Sequence, residues 1–280
     1  MDTAPPRPDL ATLGRYRVEA LLGRGAMGAV YRGSDPASGR LVALTTLALA
    51  REFDGEALAE ARSRFMREAH TATRLQHPDI VAVFEAGEDQ GLAYIAMEFV
   101  LGHDLQAHTL PGRLLTPAQV AHIGARVADA LDHAHRQGVV HRDIKPANVM
   151  IDLAADTVKV TDFGIAHVSD ATRTRTGMVM GTPAFMSPEQ MAGGHVDGRS
   201  DLYSLGVTLF QLLTGAMPFA SESLGRLMVA IANEPAADIR GLRPELPEAL
   251  AAVVAQALEK RPDQRQADAC QLAKALRGVA

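Results

Sequence analysis

The periodicity of apolar residues switches once along this chain, near residue 100, and that switch restricts the fold more than any single motif. Before it lie strand-like segments: RYRVEALLG, GAVYRG and RLVALTTLAL, with the turn DPASG between the last two. A helical segment follows, EARSRFMREAHTATRLQH, with Phe65, Ala69 and Ala72 on one face, and Pro78 closes it. IVAVFEAGEDQGLAYIAMEFV then reads as two strands joined by a turn at Gly87 to Gly91. After Gly102 the pattern becomes helical. TPAQVAHIGARVADALDHAHRQG has Pro117 near its start and Gly138 just past its end, as helix capping prefers. Beyond residue 190 nearly every segment is helical. The chain therefore predicts an α+β protein of two lobes: a small β-rich lobe with one main helix, a short connection at 98–103, and a larger, mainly helical lobe. A cleft between such lobes is the default ligand site.

Composition excludes several classes. The 280 residues carry 28 Lys and Arg against 33 Asp and Glu, a net charge of −5, so no basic excess points to nucleic acid or an acidic membrane. The single cysteine, Cys270, permits no intrachain disulfide, and the chain needs no oxidising compartment; a cytoplasmic location is expected. The opening MDTAPPRPDLATLG has no apolar core of a signal peptide, and residues 1–13 read as a disordered lead. The longest apolar stretch, LYSLGVTLFQLLTGAMPF, is interrupted by Gly206 and Gly215 and reads as a buried helix, not a membrane span. Arginines outnumber lysines 24 to 4, and the lysines are Lys145, Lys159, Lys260 and Lys274.

Two motifs carry chemistry. LGRGAMGAV sets Gly23, Gly25 and Gly28 before Val30. A dinucleotide fold or a P-loop needs a helix directly after such glycines. Here a strand follows, which fits a flap between two strands whose N–H groups cover a nucleotide's phosphates; the bland alternative is a plain hairpin turn. HRDIKPANVMI is more specific. Asp143 can accept the proton of an attacking hydroxyl, Lys145 can neutralise a transferred phosphate, and Asn148, five residues after Asp143, can hold magnesium. Fourteen residues after Asn148 stands DFG, with Asp162 as a second magnesium ligand. Phosphoryl transfer needs these parts because charge spreads over three oxygens and must meet cations already in place.

In these motifs the chain resembles the eukaryotic-like serine/threonine protein kinases of bacteria, over roughly residues 14–278. The resemblance implies a kinase-like N-lobe over 14–100 and a C-lobe over 101–280, with ATP and Mg2+ as cofactors and Mn2+ as a substitute. The partners it implies are protein Ser/Thr substrates and a second copy during autophosphorylation. Lys145 fits the serine/threonine type. Met97 would be the gatekeeper, with Glu98 and Val100 offering backbone groups to adenine. Val30, Ala43 and Met150 would enclose the base, Asp104 would meet the ribose, and Leu22 would head the flap. Glu189 would pair with Arg265, and Asp201 would brace the catalytic loop. Thr174 and Thr176 occupy autophosphorylated positions, with Arg142 as the phosphate's partner; Thr172 reads as ordinary loop, and Thr182 as support for the catalytic loop.

One part is missing. The family pattern on the third strand ends in lysine, and this chain has VALT, so Thr45 stands where a lysine would bridge the nucleotide's phosphates and Glu68. No lysine precedes Lys145 to replace it, and rescue by Arg24, Arg32 or Arg40 is disfavoured. Two readings follow: a protein serine/threonine kinase impaired by Thr45, or a pseudokinase serving as a nucleotide-binding scaffold. Intact Asp143, Asn148 and Asp162 favour the first. A small-molecule kinase is disfavoured by Lys145 and by GTPAF…SPEQ, a peptide-docking segment. His133, His135 and His141 invite a zinc reading, but His133 and His135 are two apart on a helix and face different ways.

Overall fold

A computed structural model describes residues 10–24, 28–51, 53–163, 183–221 and 223–279. The described residues form two compact units, one holding those up to 76 together with 81–101, the other holding 77–80, 102–163 and those from 183 onward.

The first unit is built on a six-stranded antiparallel sheet. Its strands are β1 (Thr12–Leu13), β2 (Tyr16–Arg24), β3 (Gly28–Ser34), β4 (Leu41–Leu47), β5 (Val83–Asp89) and β6 (Leu92–Glu98), in the order β1-β2-β3-β4-β6-β5. Alternating residues of one face form its core: Tyr16 and Val18, Ala29 and Tyr31, Val42 and Leu44, Tyr94 and Ala96. Leu13 joins this core with no exposed surface. The expected disordered lead is therefore too long at its C-terminal end. Gly14, at φ 53°, turns the chain so that Leu13 lies opposite Tyr16, and burial of Leu13 holds β1 on the sheet. Residues 1–9 lie outside the described residues. The β5–β6 hairpin closes on Gln90 and Gly91, both left-handed at φ 51° and 75°, a tighter turn than the spread of glycines predicts.

Helix α1 (Gly55–Ala72) begins before the predicted segment and ends before it. Asp54, in extended conformation, stands at its N-cap. Pro78 disfavours helical backbone at His77, and the helix is already closed at Thr73. Ala61, Phe65, Ala69 and Ala72 are its buried residues.

The second unit opens with a small sheet, β7 (His103–Asp104), β8 (Val149–Asp152) and β9 (Thr157–Val160), in that order. Residues 77–80 belong here because the Ile80 backbone bridges to Val160, and Asp79 accepts from Arg126 Nε at 3.2 Å. Helix α2 (Pro117–Arg136) starts with a capping box, Thr116 and Gln119 each accepting from the other's backbone N–H. Then come α3 (Pro188–Met191), α4 (Gly198–Thr214), α5 (Leu224–Asn233), α6 (Ile239–Leu242), α7 (Glu248–Ala257) and α8 (Ala269–Arg277). Helix α4 is buried along nearly its whole length and ends at Gly215, left-handed at φ 73°. It is the buried helix expected from LYSLGVTLFQLLTGAMPF. Among the described residues no helix is long and apolar enough to cross a membrane.

Candidate active site

In the first unit, strand register decides which side chains share a face. Val30 lies opposite Thr45, Thr45 opposite Ile95, and Ala43 opposite Met97. Directly opposed residues point the same way, as do residues two apart. Val30, Ala43, Thr45 and Met97 therefore share the face that the core cluster leaves to the other side. Glu98, opposite Val42, points to the core side. Its N–H donates to the Ala82 carbonyl at 2.8 Å, and its Oε2 accepts from Ala82 N at 3.3 Å. Val100 follows β6, partly buried.

The flap glycines have different reasons to be glycine. A Cβ on Gly28 would lie 1.6 Å from the Thr46 carbonyl, so close strand packing alone requires it. Gly23, opposite Val30 in the β2–β3 ladder, has nothing within 4 Å of such a Cβ among the described residues. Protein packing does not explain Gly23; open space over its backbone fits a ligand that approaches the main chain. Leu22 beside it is 51% exposed. Gly25 lies outside the described residues. Glu68, in the last turns of α1, is partly buried, and among the described residues none makes an ion pair or side-chain hydrogen bond with it. Thr45 is partly buried and supplies no cation.

In the second unit the catalytic-loop residues converge. Asp143 Oδ2 accepts from Lys145 Nζ at 2.7 Å and from Asn148 Nδ2 at 3.0 Å, while the Asp143 carbonyl takes Asn148 Nδ2 at 2.7 Å. The Asn148 amide thus turns its donor end to Asp143 and keeps its carbonyl end for a cation. The loop is held from behind by Asp201, which has no exposed surface. Its Oδ1 accepts from the Arg142 N–H at 2.7 Å and its Oδ2 from the His141 N–H at 2.8 Å. Arg142 sits at φ 67°, a conformation costly for any side-chain-bearing residue and sustained here by those bonds.

Asp162 is also left-handed, at φ 67°. Burial holds its carboxyl above the ordinary aspartate range, and the Asp143 charge pushes the same way against His141 and Lys145. Its side-chain partner is Thr161 Oγ1 at 3.3 Å, and among the described residues no Lys or Arg pairs with it. A desolvated carboxylate that no described Lys or Arg pairs, within reach of the Asp143 charge, fits a hard divalent ion with oxygen ligands. Asp104 caps the turn Leu105–His108, accepting from Gln106 N at 2.9 Å and Gln106 Nε2 at 3.1 Å. Met150, opposite Asp104, is partly buried.

Glu189 and Arg265 form the expected pair, bidentate at 2.7 and 2.8 Å. The three histidines have separate partners: His133 Nε2 bonds to Gln137, His135 Nε2 to Asp201 Oδ2 at 2.7 Å, and buried His141 donates Nε2–H to the Thr161 carbonyl at 2.8 Å. Thr172, Thr174, Thr176 and Thr182 lie outside the described residues.

Several contributors carry no local sequence signal. His135 reaches Asp201 from α2. Gln190 Nε2 donates to the Arg142 carbonyl at 2.9 Å. Ser200 Oγ donates to Glu189 Oε1 at 2.5 Å. Buried Thr46 both accepts from Ala29 N at 3.1 Å and donates to Ala29 O at 3.0 Å, tying β4 to the strand that leaves the flap. Only the SPEQ quartet hints at one of these, since a Ser with Gln three residues on is a capping box, and Ser187 and Gln190 form one.

A two-unit fold with this loop, this DFG aspartate and glycines between the first strands is the architecture of the kinase fold class. The chain belongs to the protein kinase domain family, whose model it matches over residues 16–275. It is 43% identical over 269 residues to the serine/threonine-protein kinase PknJ of Mycobacterium tuberculosis, with 93% of this chain and 44% of that protein covered. It is 41% identical over 267 residues to the serine/threonine-protein kinase pkn3 of Myxococcus xanthus, covering 91% of this chain and 48% of that one. The chain thus spans less than half the length of these curated relatives. Its structure is similar to the crystal structure of the Mycobacterium tuberculosis PknI kinase domain, at TM-score 0.77 and 34% identity, covering 96% of this chain and 98% of that one.

Proposed function

We propose that this chain is a bacterial serine/threonine protein kinase domain that transfers the γ-phosphate of ATP to protein Ser and Thr hydroxyls, itself included, at a rate reduced by Thr45. The observation that carries the reading is the convergence of Lys145 and Asn148 on one oxygen of Asp143. That aspartate is held in one orientation as the acceptor for the hydroxyl's proton. Lys145 places an ammonium within 2.7 Å of the base, where charge develops on the transferred group. Magnesium, or manganese, would neutralise phosphate charge when held by Asn148 and Asp162. In the first unit, Leu22, Gly23, Gly25 and Gly28 cover phosphates, Val30, Ala43 and Met97 line the adenine face, and the backbone at Glu98 and Val100 meets the base. In the second, Met150 is assigned to adenine and Asp104 to ribose. Arg142 is assigned to phosphorylated Thr174 or Thr176.

Thr45 favours a second reading. It offers no cation to Glu68, and a domain that binds nucleotide without turning it over is a scaffold. A phosphotransfer assay on a basic protein separates the two. The chain should be weakly active or silent, Thr45→Lys active, and Thr45→Lys with Asp143→Asn silent. A silent Thr45→Lys variant that still binds nucleotide leaves the scaffold as the function.

A further inference from the structure

Two histidines that phosphoryl transfer does not use lie in the second unit. His103 stands in β7 and His108 ends the turn Leu105–His108. Their Nε2 atoms are 2.9 Å apart, and their ring planes meet at 38°. His108 Nδ1 lies 2.9 Å from the Arg113 carbonyl oxygen. A carbonyl only accepts, so Nδ1 carries the hydrogen, and Nε2 of the neutral ring turns a lone pair toward His103. The contact between the rings then rests on the Nε2–H of His103.

A cation can take the place of that hydrogen. His103 moves it to Nδ1, both Nε2 lone pairs turn to the metal, and no proton leaves the protein. The His108 N–H to the Arg113 carbonyl is the outer contact that fixes a ligand ring. We propose that His103 and His108 form a two-histidine site for a late first-row divalent cation, Cu2+ or Ni2+ in preference to Zn2+, with water completing the coordination. The affinity order of nitrogen sites for late first-row ions, which peaks at Cu2+, sets the preference, and the ligand angle is compatible with it. With metal–nitrogen bonds of about 2.0–2.1 Å, ligands at a right angle place their nitrogens about 2.9 Å apart, whereas tetrahedral zinc needs about 3.3 Å. The 2.9 Å between the two Nε2 atoms is set by their hydrogen bond, and a right-angle pair of ligands would keep them at that separation.

The other histidine pair lacks this arrangement. The rings of His77 and His133 are also 5.2 Å apart, but His77 Nδ1 accepts from Asp79 N and His133 Nε2 bonds to Gln137 Nε2. His103 is exposed and His108 partly so, which leaves the first pair open to a hydrated ion. A bound ion would link β7 to the far end of the turn capped by Asp104 and stiffen it.

The test is titration of the untagged chain, as Cys270→Ser to remove its free thiol, with NiCl2, CuCl2 and ZnCl2 in a non-chelating buffer, with paramagnetic resonance of the copper form. One Cu2+ or Ni2+ per chain is expected, with nitrogen coupling in the copper spectrum and a raised melting temperature. Affinity should fall tenfold or more in His103→Ala and in His108→Ala, and stay unchanged in His133→Ala. The two tested histidines contribute exposed contacts, so their variants should melt near the parent without metal. Absence of binding at millimolar metal, parental affinity in either His103→Ala or His108→Ala, loss in His133→Ala, or tighter binding of Zn2+ than of Cu2+ and Ni2+ would overturn the assignment.

Discussion

Glu68 without a partner among the described residues and Thr45 on the same face as Val30, Ala43 and Met97 describe one defect from two sides. A lysine at 45 would supply two charge-assisted contacts, to phosphate and to Glu68, each about 1.5–3 kcal/mol. If about 3–5 kcal/mol of that appears in the transition state, Thr45→Lys raises the rate by roughly 10²–10⁴-fold. The gain belongs mainly in kcat, since the ammonium aligns phosphates for transfer. Glu68→Ala in the Thr45→Lys background should remove much of the gain, whereas Glu68→Ala alone should change little. Steady-state kinetics of the four chains measure that coupling, and additivity would mean that Glu68 is not the lysine's partner. Position 45 was legible in the sequence because DPASG fixes where the strand begins, and a strand's period of two does the rest. His135, Gln190 and Ser200 were not legible, because each acts on a residue distant in the chain and has no pattern of its own. The loss of Leu13 to the supposed lead has a related cause: two residues are too short for a periodicity, and only burial on the sheet reveals them.

Among the elements, α3 has only one turn and holds little by itself, so its place depends on its neighbours. Glu189 in α3 takes Ser200 from α4 and both Arg265 nitrogens, and the Arg265 side chain has no exposed surface. Burial alone would raise the Glu189 pKa, but the bonds from Arg265 and Ser200 outweigh it and hold the group below the ordinary 4.5. The folded form therefore binds the proton less readily than the unfolded chain. Its stabilising contribution is full above about pH 4.5 and is lost as pH falls through the lower folded value. Urea unfolding of the parent and of Glu189→Gln should differ at pH 7, and the difference should shrink as pH falls below about 4.5. Arg265→Ala leaves a buried carboxylate uncompensated and should cost about 3–5 kcal/mol at pH 7. The α2 capping box adds a milder case, with Thr116→Ala expected to cost about 1 kcal/mol. That box, the Pro117 start and the Gly138 stop made α2 readable in advance. The frame of α1 was less so, because it starts where the backbone is extended at Asp54, whose side chain makes no capping bond to the helix.

For the molecule as a whole, the question is whether losing one cation abolishes nucleotide binding or only its turnover. The parts assigned to binding outnumber the part lost. Val30, Ala43 and Met97 share the sheet face assigned to adenine, no described atom crowds Gly23, and Asp162 is a desolvated carboxylate without a cationic partner among the described residues. Magnesium with ATP should therefore bind the folded chain and not the unfolded one, and so raise its melting temperature. At a nucleotide concentration a hundred times Kd the stabilisation is about 2.7 kcal/mol. For a chain of this size each kcal/mol is worth roughly 2–4 °C, so a shift of about 5 °C or more is expected. Asp162→Asn should shrink the magnesium-dependent part of the shift, because it removes the negative charge assigned to the ion. Thr45→Lys should enlarge the shift and also allow Thr174 and Thr176 to acquire phosphate, which intact mass reports independently of melting. A chain that shows no shift at millimolar Mg-ATP, while Thr45→Lys shows a full one, would mean that position 45 decides binding itself, and neither the impaired enzyme nor the nucleotide-bound scaffold would then describe the Thr45 form.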